Sequence, residues 1–322
     1  MFVLSTINKL PGDALNRLSS QFDLRLYDSD SRPPRKELIR EIKDASALLC
    51  ELGDKIDKEV IDAAGPNLKV IGQYAVGFEN IDVAYAQSKG IVVTNTPDVL
   101  TQAVAEHTFA LLMAASRRVC ESDARIRRGS FPEWGPLVLL GTQLRGKTIG
   151  IVGAGRIGGE VARIAAHGFE MKILYFNRSK DERLEKETNA KYVSINDLLK
   201  NSDFVSVHVP LTPETRGMFG FKQFKLMKKT AIFVNTARGK IVREVDLANA
   251  LKSKTIAGAG LDVFENEPQV DKGLLKLQNA VMTPHVASAT IEARTAMADL
   301  VVDNILLVLK GKQAKTPVKV LK

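Results

Sequence analysis

Nowhere in the 322 residues do eighteen apolar residues run together, so no transmembrane helix is expected. Residues 1–5 are apolar but lack a basic lead and soon meet Pro11 and Gly12, which argues against a signal peptide. There are only two cysteines, Cys50 and Cys120, too few and too far apart for a disulfide framework. Their apolar or helical contexts suggest buried thiols in a reducing compartment, hence a cytoplasmic protein. Aromatic residues make up 6%, with one tryptophan, and the short basic runs at 117–118, 125–128 and 222–229 hold a single aromatic, Phe224, and no known reader motif. A net charge of +9 therefore reads as a solvated basic surface that steers anionic ligands rather than one that reads nucleic acid. The four histidines form no group with cysteine or carboxylate at metal-ligand spacing, so no metal is expected.

What is present is organised around residues 147–162. An apolar run over 148–152 reads as a buried strand and stops at Gly153. There the chain spells Gly153-Ala-Gly155-Arg156-Ile157-Gly158, and a helical pattern follows through Val161, Ile164 and Ala165. Strand, glycine turn and helix together mark a dinucleotide pyrophosphate site at a helix N-terminus.

Either side of this motif, strand-like and helix-like runs alternate. Strands are expected at 2–5, 24–27, 47–52, 68–74 and 91–94, with helices at 13–19, 35–44, 58–64 and 83–88. One long helix is expected over 100–127, followed by an irregular arm at 129–141. Six further strands are expected at 148–152, 172–176, 204–208, 231–235, 257–262 and 280–282, enough for a full dinucleotide-binding sheet. A last helix covers 290–309 and leaves a basic, loosely held tail at 310–322. The fold class is thus α/β with two doubly wound lobes: residues 1–97 and 286–322 form one, and 98–285 form an inserted Rossmann domain.

The second strand of that domain bears on cofactor choice. An NAD site places a carboxylate about 20 residues past the glycines, to accept from the ribose 2′-OH. Here the run ends in Asn177-Arg178-Ser179, with Asp181 and Glu182 expected to begin the next helix. An arginine and a hydroxyl suit a 2′-phosphate, so NADP(H) is preferred over NAD(H).

Four segments close later strands: His208-Val-Pro-Leu-Thr-Pro-Glu-Thr215, Asn235-Thr-Ala-Arg-Gly239, Gly260-Leu-Asp-Val-Phe-Glu-Asn-Glu-Pro268 and Thr283-Pro-His285. Open α/β sheets bind ligands at such carboxyl ends. Together with Val76-Gly-Phe-Glu-Asn-Ile-Asp82 and the Gly153–Gly158 turn, the last three of these segments, the final one running on through Ser288 and Thr290, carry a resemblance over nearly the whole chain to the D-isomer-specific 2-hydroxyacid dehydrogenase family, most closely the glyoxylate/hydroxypyruvate reductases. The resemblance implies a catalytic set of Arg238, Glu267 and His285, and a Rossmann lobe inserted into a flavodoxin-like substrate lobe. Arginine suits a carboxylate beside a carbonyl, histidine a proton donor, and glutamate a partner that orients the ring.

It further implies that the 208–215 loop lies against the cofactor, so His208, Val209, Pro210 and Thr215 join Thr236, Ala237 and Asp262 as cofactor-binding residues. Val76 and Gly77 hold the substrate carboxylate through backbone N–H groups. Leu52 and Leu100 are pocket walls or core leucines. The arm with Trp134 resembles a dimerisation segment, so a homodimer is expected, and Trp134 either packs in that interface or reaches the neighbouring site. The expected substrate is a small 2-oxoacid. D-3-phosphoglycerate and D-lactate dehydrogenases are rivals within the fold, and a dinucleotide-responsive corepressor is the rival outside catalysis.

Overall fold

Short runs of Val, Ile, Leu and Phe between polar turns form strands that are buried on both faces, the pattern of parallel sheets covered by helices. The computed structural model describes residues 1–29 and 31–319. The chain divides into two compact units: Met1–Leu100 with the segment from Ala289 onward, and Thr101–Ser288. The divisions fall three residues beyond the 97/98 and 285/286 boundaries expected from sequence.

The first unit holds β1 (Phe2–Ser5), β2 (Asp23–Leu26), β3 (Ala47–Cys50), β4 (Val70–Gln73) and β5 (Val92–Thr94). All pair in parallel, in the order β2-β1-β3-β4-β5, which is the flavodoxin-like winding. Local chemistry sets the helix starts. Asp57 accepts from Val60 N–H to cap Lys58–Ala64, and Asp82 accepts from Tyr85 N–H to cap Val83–Ser88. The C-terminal helix Ile291–Leu309 packs against β4 at Gly72, where a Cβ would press on Val301 and Ile305 at 2.9 Å.

The tail is not loose. Asn304, fully buried in that helix, donates to Thr316 Oγ1 at 2.8 Å and accepts from Lys315 and Thr316 N–H at 2.8 and 3.1 Å. Val318 is buried in the first unit's core, and its N–H bonds Val93 O at 2.8 Å. The expectation of a loosely held tail is corrected as far as Val318; residues 320–322 lie outside the described residues.

The second unit holds β6 (Thr148–Val152), β7 (Lys172–Phe176), β8 (Lys191–Tyr192), β9 (Phe204–Val207), β10 (Ile232–Asn235), β11 (Gly258–Leu261) and β12 (Ala280–Met282). Its order is β12-β11-β10-β9-β6-β7-β8, again all parallel. There are seven strands among the described residues rather than the six expected, because β8 adds a two-residue edge. The winding reverses between β6 and β9, the switch point at which such sheets take ligands.

The helix expected over 100–127 is two helices, Thr101–Ser116 and Val119–Arg127. Arg118 between them is left-handed, at φ +54°. The returning arm supplies the reason: Thr142 N–H takes the Ser116 carbonyl at 2.8 Å, and Gly141 approaches that carbonyl too closely for any Cβ. Cys50 is buried but Cys120, on the second helix, is exposed, which corrects the expectation of two buried thiols. No helix among the described residues is long and apolar enough to cross a membrane.

Candidate active site and dinucleotide cradle

The glycine turn follows β6 directly. Gly153 has φ +95°, a conformation that excludes ordinary side chains, and a Cβ there would press on His208 and Val209 backbone at 2.7–2.8 Å. The turn is thus held tightly against the end of β9. A Cβ on Gly158 would collide with the Gly153 carbonyl, so the third glycine seats the helix Arg156–Arg163 against the strand end. Gly155, at that helix's N-cap, faces open space. The first N–H groups of a helix have no intrahelical partner and carry partial positive charge. With Arg156 and Ile157 opening this helix beside a side-chain-free approach, the chemistry fits a pyrophosphate.

At the end of β7, Asn177 is half-buried while Arg178 and Ser179 are exposed. Asp181 caps the helix Glu182–Thr188, accepting from Leu184 N–H at 3.0 Å. The carboxylate that follows Arg178 is therefore engaged locally, and the strand end presents amide, guanidinium and hydroxyl.

His208 follows β9, and its Nε2 lies 2.8 Å from Ser206 Oγ. Part of the residue reaches solvent, yet its ring is enclosed. Burial pulls the imidazole down to about 3, which keeps it neutral and unsuited to proton donation at neutral pH. The turn after Val209 and Pro210 is closed by Thr215, whose Oγ1 donates to Pro210 O and accepts from Thr212 N–H.

Arg238, Glu267 and His285 lie at or beyond the ends of β10, β11 and β12. Asn235 braces the first of these loops, donating to Arg238 O at 3.0 Å and accepting from Ala237 N–H at 3.0 Å. Thr236 is buried, with its hydroxyl 2.9 Å from that of Thr108. Gly239 passes so close to Phe264 and Glu265 backbone that only glycine fits. Glu267 Oε1 accepts from Phe264 N–H at 2.9 Å, and Oε2 lies 2.8 Å from His285 Nδ1. Burial opposes the charge on Glu267. The bonds from His285 and Phe264, with the charges of His285 and Arg238, outweigh it and hold the carboxyl below its usual range. An ionised Glu267 can only accept, so Nδ1 of His285 carries a proton. His285 Nε2 bonds no other described residue.

Asp262 was expected beside the cofactor; its bracing of the His285 loop, and the part His107 plays in that, escaped sequence reasoning. Asp262 is fully buried, and its Oδ1 accepts from Thr283 Oγ1 at 2.7 Å and Val286 N–H at 2.8 Å. Its Oδ2 accepts from Ala287 N–H at 2.8 Å. His107 Nε2 lies 2.9 Å from Thr283 Oγ1 and 3.5 Å from Asp262 Oδ1. Burial works against the Asp262 charge, but these donors prevail and lower its pKa. Asp262 thereby ties down the loop in which His285 sits at φ +54°. His107 lies within a helical pattern, and only the fold brings it to a residue 176 positions away.

In the first unit, the turn after β4 carries Val76 and Gly77, both half-buried. Leu100 is buried as a core leucine is, and Leu52 is half-buried. Among the described residues no group of three or more His, Cys, Asp or Glu is arranged to hold a metal.

With this geometry established, three kinds of comparison bear on the chain. Residues 109–287 match the family model for the D-isomer specific 2-hydroxyacid dehydrogenase, NAD binding domain. A glyoxylate reductase of Korarchaeum cryptofilum is 49% identical over 306 residues, covering 94% of this chain and 92% of that protein. The crystal structure of a glyoxylate reductase from Paecilomyes thermophila superposes with a TM-score of 0.88 at 35% identity, covering 99% of this chain and 98% of the other. An NADPH-dependent glyoxylate/hydroxypyruvate reductase from Sinorhizobium meliloti, solved with NADP and malonate, superposes with a TM-score of 0.85 at 34% identity, covering 98% and 96%.

Proposed function

The chain belongs to the D-isomer-specific 2-hydroxyacid dehydrogenases, NAD(P)-dependent oxidoreductases, and from that premise we propose that it reduces glyoxylate or hydroxypyruvate to glycolate or D-glycerate, with NADPH preferred. The observation that carries this reading is the Glu267–His285 pair at 2.8 Å, which leaves Nε2 as the free end of the ring. When bound, the nicotinamide supplies the hydride. His285, protonated at both nitrogens, donates from Nε2 to the carbonyl oxygen of the substrate. Glu267 stabilises the imidazolium and fixes the ring, and the Asp262 network keeps the loop beneath it in place. Arg238, a permanent cation on a braced loop, binds the carboxylate and polarises the carbonyl. Val76 and Gly77 take the carboxylate through backbone N–H groups.

The cofactor is held by Gly153, Gly155, Arg156, Ile157 and Gly158 at the pyrophosphate, and by Asn177, Arg178 and Ser179 at the 2′-phosphate. His208, Val209, Pro210, Thr215, Thr236, Ala237 and Asp262 complete its surroundings, with NAD(H) as the weaker substitute. The NADP complex of the Sinorhizobium meliloti enzyme supports this cofactor, and the glyoxylate reductase relatives support the substrate class. The arm around Trp134 mediates a homodimer.

A substrate panel with both cofactors, followed at 340 nm, tests the proposal. Glyoxylate or hydroxypyruvate should be consumed fastest with NADPH. His285→Ala should lower kcat about 10²–10⁴-fold while NADPH still binds. Preference for pyruvate or a phosphorylated 2-oxoacid would move the enzyme to the D-lactate or phosphoglycerate branch. Dinucleotide binding without turnover would favour a dinucleotide-responsive corepressor.

A further inference from the structure

The turn that carries Val76 and Gly77 is braced by side-chain amides whose orientation is set one by one. Asn80 Nδ2 faces two backbone carbonyls, Glu51 O at 3.0 Å and Asp54 O at 2.8 Å, so that end of the amide is the donor. Asn80 Oδ1 must then accept, and it accepts from Gln73 Nε2 at 2.8 Å. This fixes the amide of Gln73, which is fully buried at the end of β4. Its Nε2 also donates to Gly77 O at 3.1 Å, while its Oε1 accepts from the buried thiol of Cys50 at 3.2 Å. From the far side Asn95, the residue after β5, donates to Val76 O at 2.8 Å. Asn95 is itself pinned, its backbone N–H and C=O both bonded to Thr316.

Two consecutive carbonyls of one turn are thus held by two amides from neighbouring strands. In a planar trans peptide the N–H points opposite to the C=O before it. Holding the Val76 carbonyl therefore aims the Gly77 N–H to the other side, and holding the Gly77 carbonyl stops the next plane from swinging. Neither Val76 nor Gly77 donates its N–H to a described residue.

We propose that Gln73 and Asn95 are positioning residues that preset the Val76–Gly77 turn as an anion clamp for the substrate carboxylate. The proposal rests on the reading that this turn binds that carboxylate. Gln73 touches no substrate; it acts through the peptide planes it holds. A clamp of this kind contributes to binding the ground state and the transition state alike, so its loss raises KM and leaves kcat nearly unchanged.

Oxamate keeps the carboxylate and an adjacent carbonyl but accepts no hydride, so its binding to the NADPH-loaded enzyme, followed by calorimetry, separates the clamp from the chemistry. Gln73→Leu and Asn95→Asp should each weaken oxamate about tenfold or more and raise KM for glyoxylate in step. In both variants kcat should stay within about threefold, and the Kd for NADPH should not move. Thermal melting of each variant identifies any that fails to fold, and Asn95→Asp, at a half-buried site, carries the test if Gln73→Leu does so. Val76→Pro removes one N–H of the turn and tests the underlying reading. Normal oxamate binding by Val76→Pro would overturn the turn as a carboxylate site, and the amide lock with it. Weak binding by Val76→Pro but wild-type binding by Gln73→Leu and Asn95→Asp would overturn the lock alone. A fall in kcat as large as the rise in KM would also overturn it, since that marks a general loss of structure.

Discussion

Arg178 stands exposed at the end of β7, and Asp181, the first carboxylate after it, is taken up by the N-cap of Glu182–Thr188. A charge-assisted bond to a phosphate contributes about 1.5–3 kcal/mol, equivalent to roughly 10–100-fold in an equilibrium constant. Arg178→Ala should therefore raise KM for NADPH by about tenfold or more and change KM for NADH by less than about twofold. Steady-state kinetics with both cofactors measure this, and equal effects would remove Arg178 from the 2′-phosphate site. The arginine could be read from the chain because its position is counted from a glycine motif a short distance away. His107 could not. Its bond to Thr283 spans 176 residues, and nothing in a helical pattern marks which of its polar side chains will meet a buried carboxylate. Likewise His208 and His285 each follow a strand. What separates them is burial, which leaves His208 neutral, and a carboxylate partner, which only His285 has.

At the scale of elements, apolar runs between polar ones located all five strands of the first sheet to within a few residues. Four of them are largely buried and so are written as continuous apolar runs, while the edge strand β2, Asp-Leu-Arg-Leu, is largely exposed. The pattern failed where tertiary contacts decide. β8 is two exposed residues with no periodicity to read. The break at Arg118 comes from a distant segment taking the Ser116 carbonyl. The tail looked free because its composition is basic, while the residue that fastens it, Asn304, lies inside an apolar helix. That fastening is testable. Asn304→Ala deletes three hydrogen bonds and leaves Lys315 and Thr316 groups in need of partners, at a net cost of about 2–4 kcal/mol. The melting temperature should fall by several degrees, and the Val318 amide should lose its protection from hydrogen exchange. Unchanged protection would mean that Val318 packing alone holds the segment.

For the molecule as a whole, the surface is basic, with a net charge of +9, and this favours the approach of a 2-oxoacid and of a dinucleotide phosphate. One stretch departs from it. Between Gly129 and Gly141 the chain forms no helix or strand, and Phe131, Trp134, Leu137 and Leu140 are 84, 91, 80 and 60% exposed. Val119 and Ile126, on the helix just before the arm, are about half exposed as well. Scattered apolar residues on a surface need no explanation, but large ones gathered in one arm of a monomer do. A second copy of the chain accounts for them most simply, since a two-fold interface lets each arm bury its apolar side chains against the same surface of its neighbour. The protein should then run at twice its subunit mass in light scattering. Trp134, as the only tryptophan, reports the contact directly. Its emission should lie toward the blue in the assembled protein and shift toward the red on dilution below the dimer's Kd. Leu137→Asp places a charge in this apolar patch and should yield a monomer with red-shifted emission. If kcat is unchanged in that monomer, the arm serves assembly only. If kcat falls while NADPH binding is retained, and Trp134→Ala lowers it in a protein that is still dimeric, the tryptophan reaches the neighbour's substrate.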